Sequence, residues 1–262
     1  MTTTGTDELT MRRGLIDKGF SEFLSAHGKD LSAAKLRYKF DSGVAAPAKA
    51  IVDASETLLA ELAGLEKQAK NYKSDYLATL KTAARDKATA TWKDGLTRFD
   101  SGLFDLVRNL AQAAYPKLPA GADENALWTE AESILEASTN PPFTRLMNLA
   151  RAERRDLAAM ALSERASSWA GTHGLTRRDL QRVRELAIEG AQTLGTPAEQ
   201  AAARAYKPAK KLLGYRGTVV GVMQAAAKVA TQDPRDLGFT PESPELSAWN
   251  DGPDDAPPIV KV

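Results

Sequence analysis

Apolar side chains recur at spacings of three and four residues along most of the chain, which is the period of a helix with one buried face. Alternating β-branched runs closed by Asn-Gly or Asp-Gly turns are missing. The pattern therefore predicts an all-α fold. We expect a helical bundle with one long coiled-coil-like helix, a second smaller helical region, and an extended, proline-rich acidic arm at the C-terminus.

The longest helical pattern covers residues 47–94, where Pro47 suits the first turn of a helix and no further proline follows. One continuous helix of that length would measure about 70 Å at 1.5 Å per residue, so it would need another helix or subunit beside it. A break near Gly64 or around 88–91 would instead give two ordinary helices, and the pattern leaves both arrangements open. The apolar positions follow a heptad-like alternation of three and four; they are Ile51, Leu58, Leu62, Leu65, Ala69, Tyr72, Tyr76 and Ala83.

Shorter helical patterns flank this segment on both sides. Thr196, Pro197 and Glu199 form the clearest start signal, with threonine as N-cap, proline at the first helical position, and glutamate reaching back to the cap. The short helix expected after Asp30 would be anchored by Leu31, Leu36, Tyr38 and Phe40. The other predicted helices cover 7–26, 99–115, 123–137, 143–171, 176–194, 196–206 and 218–231.

A change in composition marks a boundary at 116–121, which has the proline and glycine content of a loop. Basic residues are mainly lysine over 46–99, whereas over 118–206 every basic residue is arginine. These observations predict two helical regions followed by the arm: 1–115, 122–232 and 233–262.

Histidine and cysteine, which supply most metal ligands and neutral-pH nucleophiles and bases, are nearly absent: the chain has two histidines and no cysteine. His27 and His173 each precede a glycine at the end of a helical stretch, so we interpret both as C-terminal helix caps. We therefore predict that the protein is not an enzyme, with no catalytic residues, no metal site and no cofactor. Carboxylate-only chemistry from distant residues stays open.

Residues 162–189 resemble the layout of a helix-turn-helix, with a glycine turn followed by a helix that begins with arginines. The candidate DNA contacts are Arg177, Arg178, Gln181 and Arg182. Because acidic residues are interspersed, the same pattern also fits a solvated helix face or an ion-pair lattice between subunits.

Residues 201–232 contain six basic side chains and no acidic one. Tyr206 and Tyr215 interleave with these charges, so the segment could follow a phosphate backbone, and an acidic protein surface would fit equally well. The basic residues are Arg204, Lys207, Lys210, Lys211, Arg216 and Lys228; Lys207, Lys210, Lys211 and Arg216 are the candidate nucleic-acid contacts.

The C-terminal arm, residues 233–262, carries seven acidic side chains against two basic ones and six of the 13 prolines, a composition that prevents a long helix. Leu246 and Trp249 would present apolar anchors on one helical turn, and Ile259 and Val260 could add to a sheet edge or lie in a groove. Alternatively, the segment is a disordered end whose tryptophan packs on its own domain.

With a net charge of +1 the chain has no global attraction to nucleic acid or acidic membranes. Its first residues lack a signal-peptide core, and no run approaches the roughly 20 apolar residues needed to span a bilayer, so we expect a cytoplasmic protein without membrane insertion. The leading hypothesis is a non-enzymatic structural protein that binds copies of itself or other subunits of an assembly through its arm. A virion or other large particle would suit such a subunit. The alternative is a DNA-associated protein that uses residues 162–189.

Overall fold

The all-α prediction is confirmed by the computed structural model, which describes residues 3–232 and Leu237 (side chains from residue 6 onward) and contains no strand among them. The arm therefore lies outside the described residues, apart from Leu237. The helices are α1 (Thr3–Ala33), α2 (Arg37–Phe40), α3 (Ala46–Lys67), α4 (Ser74–Ala114), α5 (Glu124–Ala137), α6 (Pro142–Ala150), α7 (Arg155–Met160), α8 (Glu164–Thr172), α9 (Arg177–Leu194), α10 (Pro197–Lys211) and α11 (Tyr215–Val229).

The described residues group into two compact units by their contacts. The first holds residues 3–28, 36–107, 208–232 and Leu237, and within it α11 packs on α3; the second holds 29–35 and 108–207. In the second unit, α6 contacts α5, α7, α8 and α9 around a core that includes Trp128, Met160 and Trp169. The division into helical regions 1–115 and 122–232 and an arm over 233–262 remains a prediction.

The long helix is α4 rather than residues 47–94. After Lys67 a 3-10 turn, Ala69–Asn71, and an extended Tyr72 separate α3 from α4, so of the two predicted break points the one near Gly64 is closer, whereas 88–91 lies inside α4. The helix expected to start at residue 99 is the second half of α4. The buried seam of α4 keeps a spacing of three and four; its members are Ala84, Ala88, Trp92, Leu96, Phe99, Leu103, Leu106 and Leu110.

The two histidines differ, although their local sequences are alike. His173 follows the last residue of α8, and Gly174 has a φ of +74°, so the cap prediction is confirmed there. At His27 it is wrong, because α1 continues to Ala33 and buries Leu31 completely. Burial of an apolar residue one turn further on stabilises the helix beyond the glycine.

The remaining differences concern where short helices end. The predicted helix over 143–171 is wrong, since α6, α7 and α8 occupy that range; Ser163 caps α8 by accepting a hydrogen bond from the backbone N–H of Ala166 at 3.1 Å. Tyr38 is 63% exposed and is not an anchor. The helix that starts after Thr196 continues through Pro208 to Lys211.

Candidate interaction surfaces

Helices α3 and α4 form a long antiparallel hairpin within the first unit. Where the hairpin leaves the buried core, Trp92 Nε1 donates to Ser55 Oγ at 3.0 Å, and Ser55 Oγ in turn donates to the carbonyl of Ile51 at 2.8 Å. Further toward the turn, Lys87 pairs with Glu61 at 3.5 Å, and Lys81 pairs with Glu66. The pairing therefore stays in register from the core to the end of the hairpin.

The outer part of this hairpin contributes nothing to the buried core, because none of residues 59–83 is buried. Leucines along it are half-buried, so each keeps part of its apolar surface in contact with water. These leucines are Leu59, Leu62, Leu65, Leu77 and Leu80.

We call residues 67–76 the hairpin tip. Lys67, Lys70 and Lys73 are all exposed there, and within the described part of the chain none of them forms an ion pair. Tyr76 is 55% exposed, and its ring centroid lies 5.6 Å from that of Tyr72. The sequence pattern did not reveal this cluster, because it placed both tyrosines on a heptad-like helix seam. The lysine spacing was visible, but only the turn at 68–73 brings these side chains to the end of a projection.

A groove of about 410 Å³ lies at the base of the hairpin, between α3 and α4. Small side chains line it, among them Ala50, Ala54 and Ala88, together with the Glu61–Lys87 pair. The groove is partly open to solvent, and its small side chains suit the close approach of another helix.

The segment that resembles a helix-turn-helix forms two helices joined by a short turn, α8 and α9. Thr176 caps α9 in a capping box with Asp179, and the hydrogen bonds from Thr176 hold the pKa of Asp179 below its usual value. Arg177 and Arg178 are exposed in the first turn of α9. Arg182 pairs with Glu185 at 3.0 Å and with Glu189 at 3.7 Å.

The other predicted residue of this segment, Gln181, is half-buried on the same helix. The turn between α8 and α9 is held by Trp169, whose ring stacks on His173 at 4.1 Å between centroids. Trp169 Nε1 donates to Glu136 Oε1 at 2.7 Å, so α5 also fixes this turn.

The basic segment 201–232 is less available to a partner than its charge suggests. Arg204 pairs with Asp30 at 2.7 Å, and Lys207 donates to Glu189 at 2.8 Å, an interaction that lowers the pKa of Glu189. Arg216 is only 6% exposed, and its Nε donates to Asp100 Oδ1 at 2.8 Å.

The remaining members of this segment are scattered. Lys211 and Lys228 are exposed and Lys210 is half-buried. Tyr206 is buried, which raises the pKa of its hydroxyl, and so it does not offer a stacking face to a nucleic acid.

The predicted protein contacts Leu246, Trp249, Ile259 and Val260 lie outside the described residues. Among the helices that are described, none is both long and apolar enough to cross a membrane. Within the same residues no three acidic or histidine side chains are grouped to hold a metal ion. Comparisons with protein-family models, curated proteins and solved structures found no match.

Proposed function

We propose that this chain is a non-enzymatic helical subunit of an oligomer or a larger particle, and that it binds its neighbours through the α3–α4 hairpin and the C-terminal arm. The observation that carries the proposal is the outer hairpin, residues 59–83, in which no side chain is buried. Helices in proteins owe most of their stability to packing of an apolar face, so a projecting pair with half-buried leucines gains stability from a partner.

The groove at the base of the same hairpin supports this function. The small residues on the facing helices α3 and α4 allow a further helix to approach closely. A helix of another chain could then complete a bundle with them. The arm adds a second means of attachment, since its acidic residues and Trp249 combine charge with a large apolar contact.

We expect the full chain to be oligomeric at tens of micromolar when its mass is measured by light scattering. A chain that ends at Gln232 should keep the far-ultraviolet circular dichroism of its helices but lose oligomeric mass, because it lacks the arm. Trp249→Ala should lose part of that mass. A strict monomer in the full-length sample would contradict self-assembly, and a truncated chain that assembles as well as the full one would contradict the role of the arm.

A DNA-associated function is the second candidate, favoured by one observation. Gly174, in the left-handed region, turns the chain between α8 and α9 so that Arg177 and Arg178 lie exposed at the start of the second helix. In helix-turn-helix proteins this part of the second helix reaches the base edges of the major groove.

For this candidate, Arg177→Ala together with Arg178→Ala should weaken binding to duplex DNA while the circular dichroism stays unchanged. Binding by the wild-type chain should fall steeply as salt rises, because the arginines displace phosphate counterions. Fluorescence anisotropy of a labelled duplex measures both effects. Lys117→Ala, a change of an exposed basic residue in a loop, serves as the control. Absence of wild-type binding at low salt would rule this function out.

A further inference from the structure

We propose that the hairpin tip of one copy is the binding site for the acidic C-terminal arm of a neighbouring copy, an inference that rests on the proposed self-assembly. From sequence alone the nearest basic partner for the arm is the segment 201–232. In the structure, Arg204, Lys207 and Arg216 of that segment are already paired with carboxylates of the fold. An arm that bound there would have to displace these ion pairs or bind only the other basic side chains of the segment.

The hairpin tip, in contrast, concentrates positive charge with one acidic side chain to oppose it. Lys67, Lys70 and Lys73 are exposed within seven consecutive positions and form no ion pair among the described residues. The nearby Glu66 is bound to Lys81, which leaves Asp75 as the opposing charge in the tip. The arm has seven acidic residues against two basic ones, so the two surfaces are complementary in sign.

The tip also offers an apolar contact that ion pairs alone do not provide. Exposed ion pairs contribute little to affinity, whereas aromatic rings bury a large area at low entropic cost. Tyr76 is 55% exposed beside Tyr72 at the tip, and Leu246 and Trp249 lie within the acidic arm. The acidic residues of the arm thus flank the side chains that would contact the tyrosines.

Distances along the chain allow contact with a neighbour. Arg85 Nη2 donates to Thr231 Oγ1 at 3.0 Å, so α11 ends beside α4, roughly 18 Å along that helix from Lys73. The residues between Gln232 and Leu246 can span about 45 Å when extended. This reach exceeds the distance to the chain's own tip, so the length of the arm also permits contact with the tip of an adjacent copy.

The experiment compares two charge-reversed full-length chains by sedimentation velocity. One carries Lys67→Glu, Lys70→Glu and Lys73→Glu in the tip, and the other carries Asp251→Lys, Asp254→Lys and Asp255→Lys in the arm. Each alone should associate at least about tenfold more weakly than wild type, since its tip and arm then have like charges. An equal mixture of the two should recover association, because every arm then meets an oppositely charged tip on the other chain.

A matched control reverses two exposed lysines of the basic segment, Lys211→Glu and Lys228→Glu, and should associate like wild type. Circular dichroism checks that all variants keep their helices. A monomeric wild type would overturn both the proposed function and this inference.

If the wild type associates and the tip-reversed chain does so equally well, only the inference is wrong. The inference is also overturned if only the Lys211→Glu, Lys228→Glu control dissociates, or if mixing the two charge-reversed chains does not restore association. A tip reversal that leaves the mass unchanged but abolishes binding of a labelled single-stranded oligonucleotide would likewise overturn it, since the tip would then be a nucleic-acid surface.

Discussion

Gly102→Ala should destabilise the protein by about 3 kcal/mol, because the folded chain has no space for the added methyl group. A Cβ on Gly102 would overlap the backbone carbonyl of Gly43, which belongs to the π-helical turn Asp41–Ala45 before α3. Backbone atoms inside helical turns cannot move aside as a flexible side chain can, so either the contact or the helix must give way. Urea unfolding followed by circular dichroism measures the loss.

Gly64→Ala is the matched control for this change. Gly64 also lies inside a helix, α3, but a Cβ there would meet no atom within 4 Å. Alanine should therefore raise stability by about 0.5–1 kcal/mol through helix propensity. Equal effects of the two substitutions would show that the close approach of Gly43 and Gly102 does not hold the base of the hairpin together.

Arg216→Met should cost about 3–5 kcal/mol, the effect of breaking a buried ion pair. The Arg216 side chain is 8% exposed and that of Asp100 is 13% exposed, so removal of the guanidinium leaves a carboxylate largely shielded from water. Thermal and urea unfolding report the change. If Arg216 were instead a surface contact for a nucleic acid, the same substitution would leave stability unaltered.

Replacing both Asp100 and Arg216 further distinguishes a buried ion pair from a surface contact to nucleic acid. Asp100→Leu combined with Arg216→Met removes the buried charge altogether and should recover most of the stability lost by the single variant. Lys49→Met is the exposed control: Lys49 pairs with Asp53 at 2.7 Å on the surface, and its loss should change stability by no more than about 0.5 kcal/mol. A single variant that unfolds no more easily than this control would contradict the structural role of Arg216.

A stable hairpin base should favour assembly, because a projecting helix pair binds a partner more tightly when the residues at its base hold it rigidly. The buried Trp92–Ser55 hydrogen bond holds α3 against α4, and the glycine contact holds the turn before α3 against α4. Charges and tyrosines at the tip are then presented in a defined place, which reduces the ordering cost of binding.

Local sequence was sufficient to predict the all-α class and several helix boundaries. The predicted capping box at Thr196 forms, and the helix predicted from residue 176 starts with one as well, because the residues that satisfy the first N–H groups of a helix are only three positions apart. The loop over 116–121 and the glycine turn after His173 follow from similarly local rules. The charge of residues 201–232 was equally visible.

Tertiary packing decided the rest, since it depends on residues distant in sequence. Helix α1 passes His27 because Leu31 is buried, and Arg216 became an interior residue because Asp100 on another helix binds it. Periodicity could not show that residues 59–83 stay unburied, because the same spacing of leucines occurs on a helix that packs in a core. Burial is a property of the neighbours, and only the folded chain specifies which residues they are.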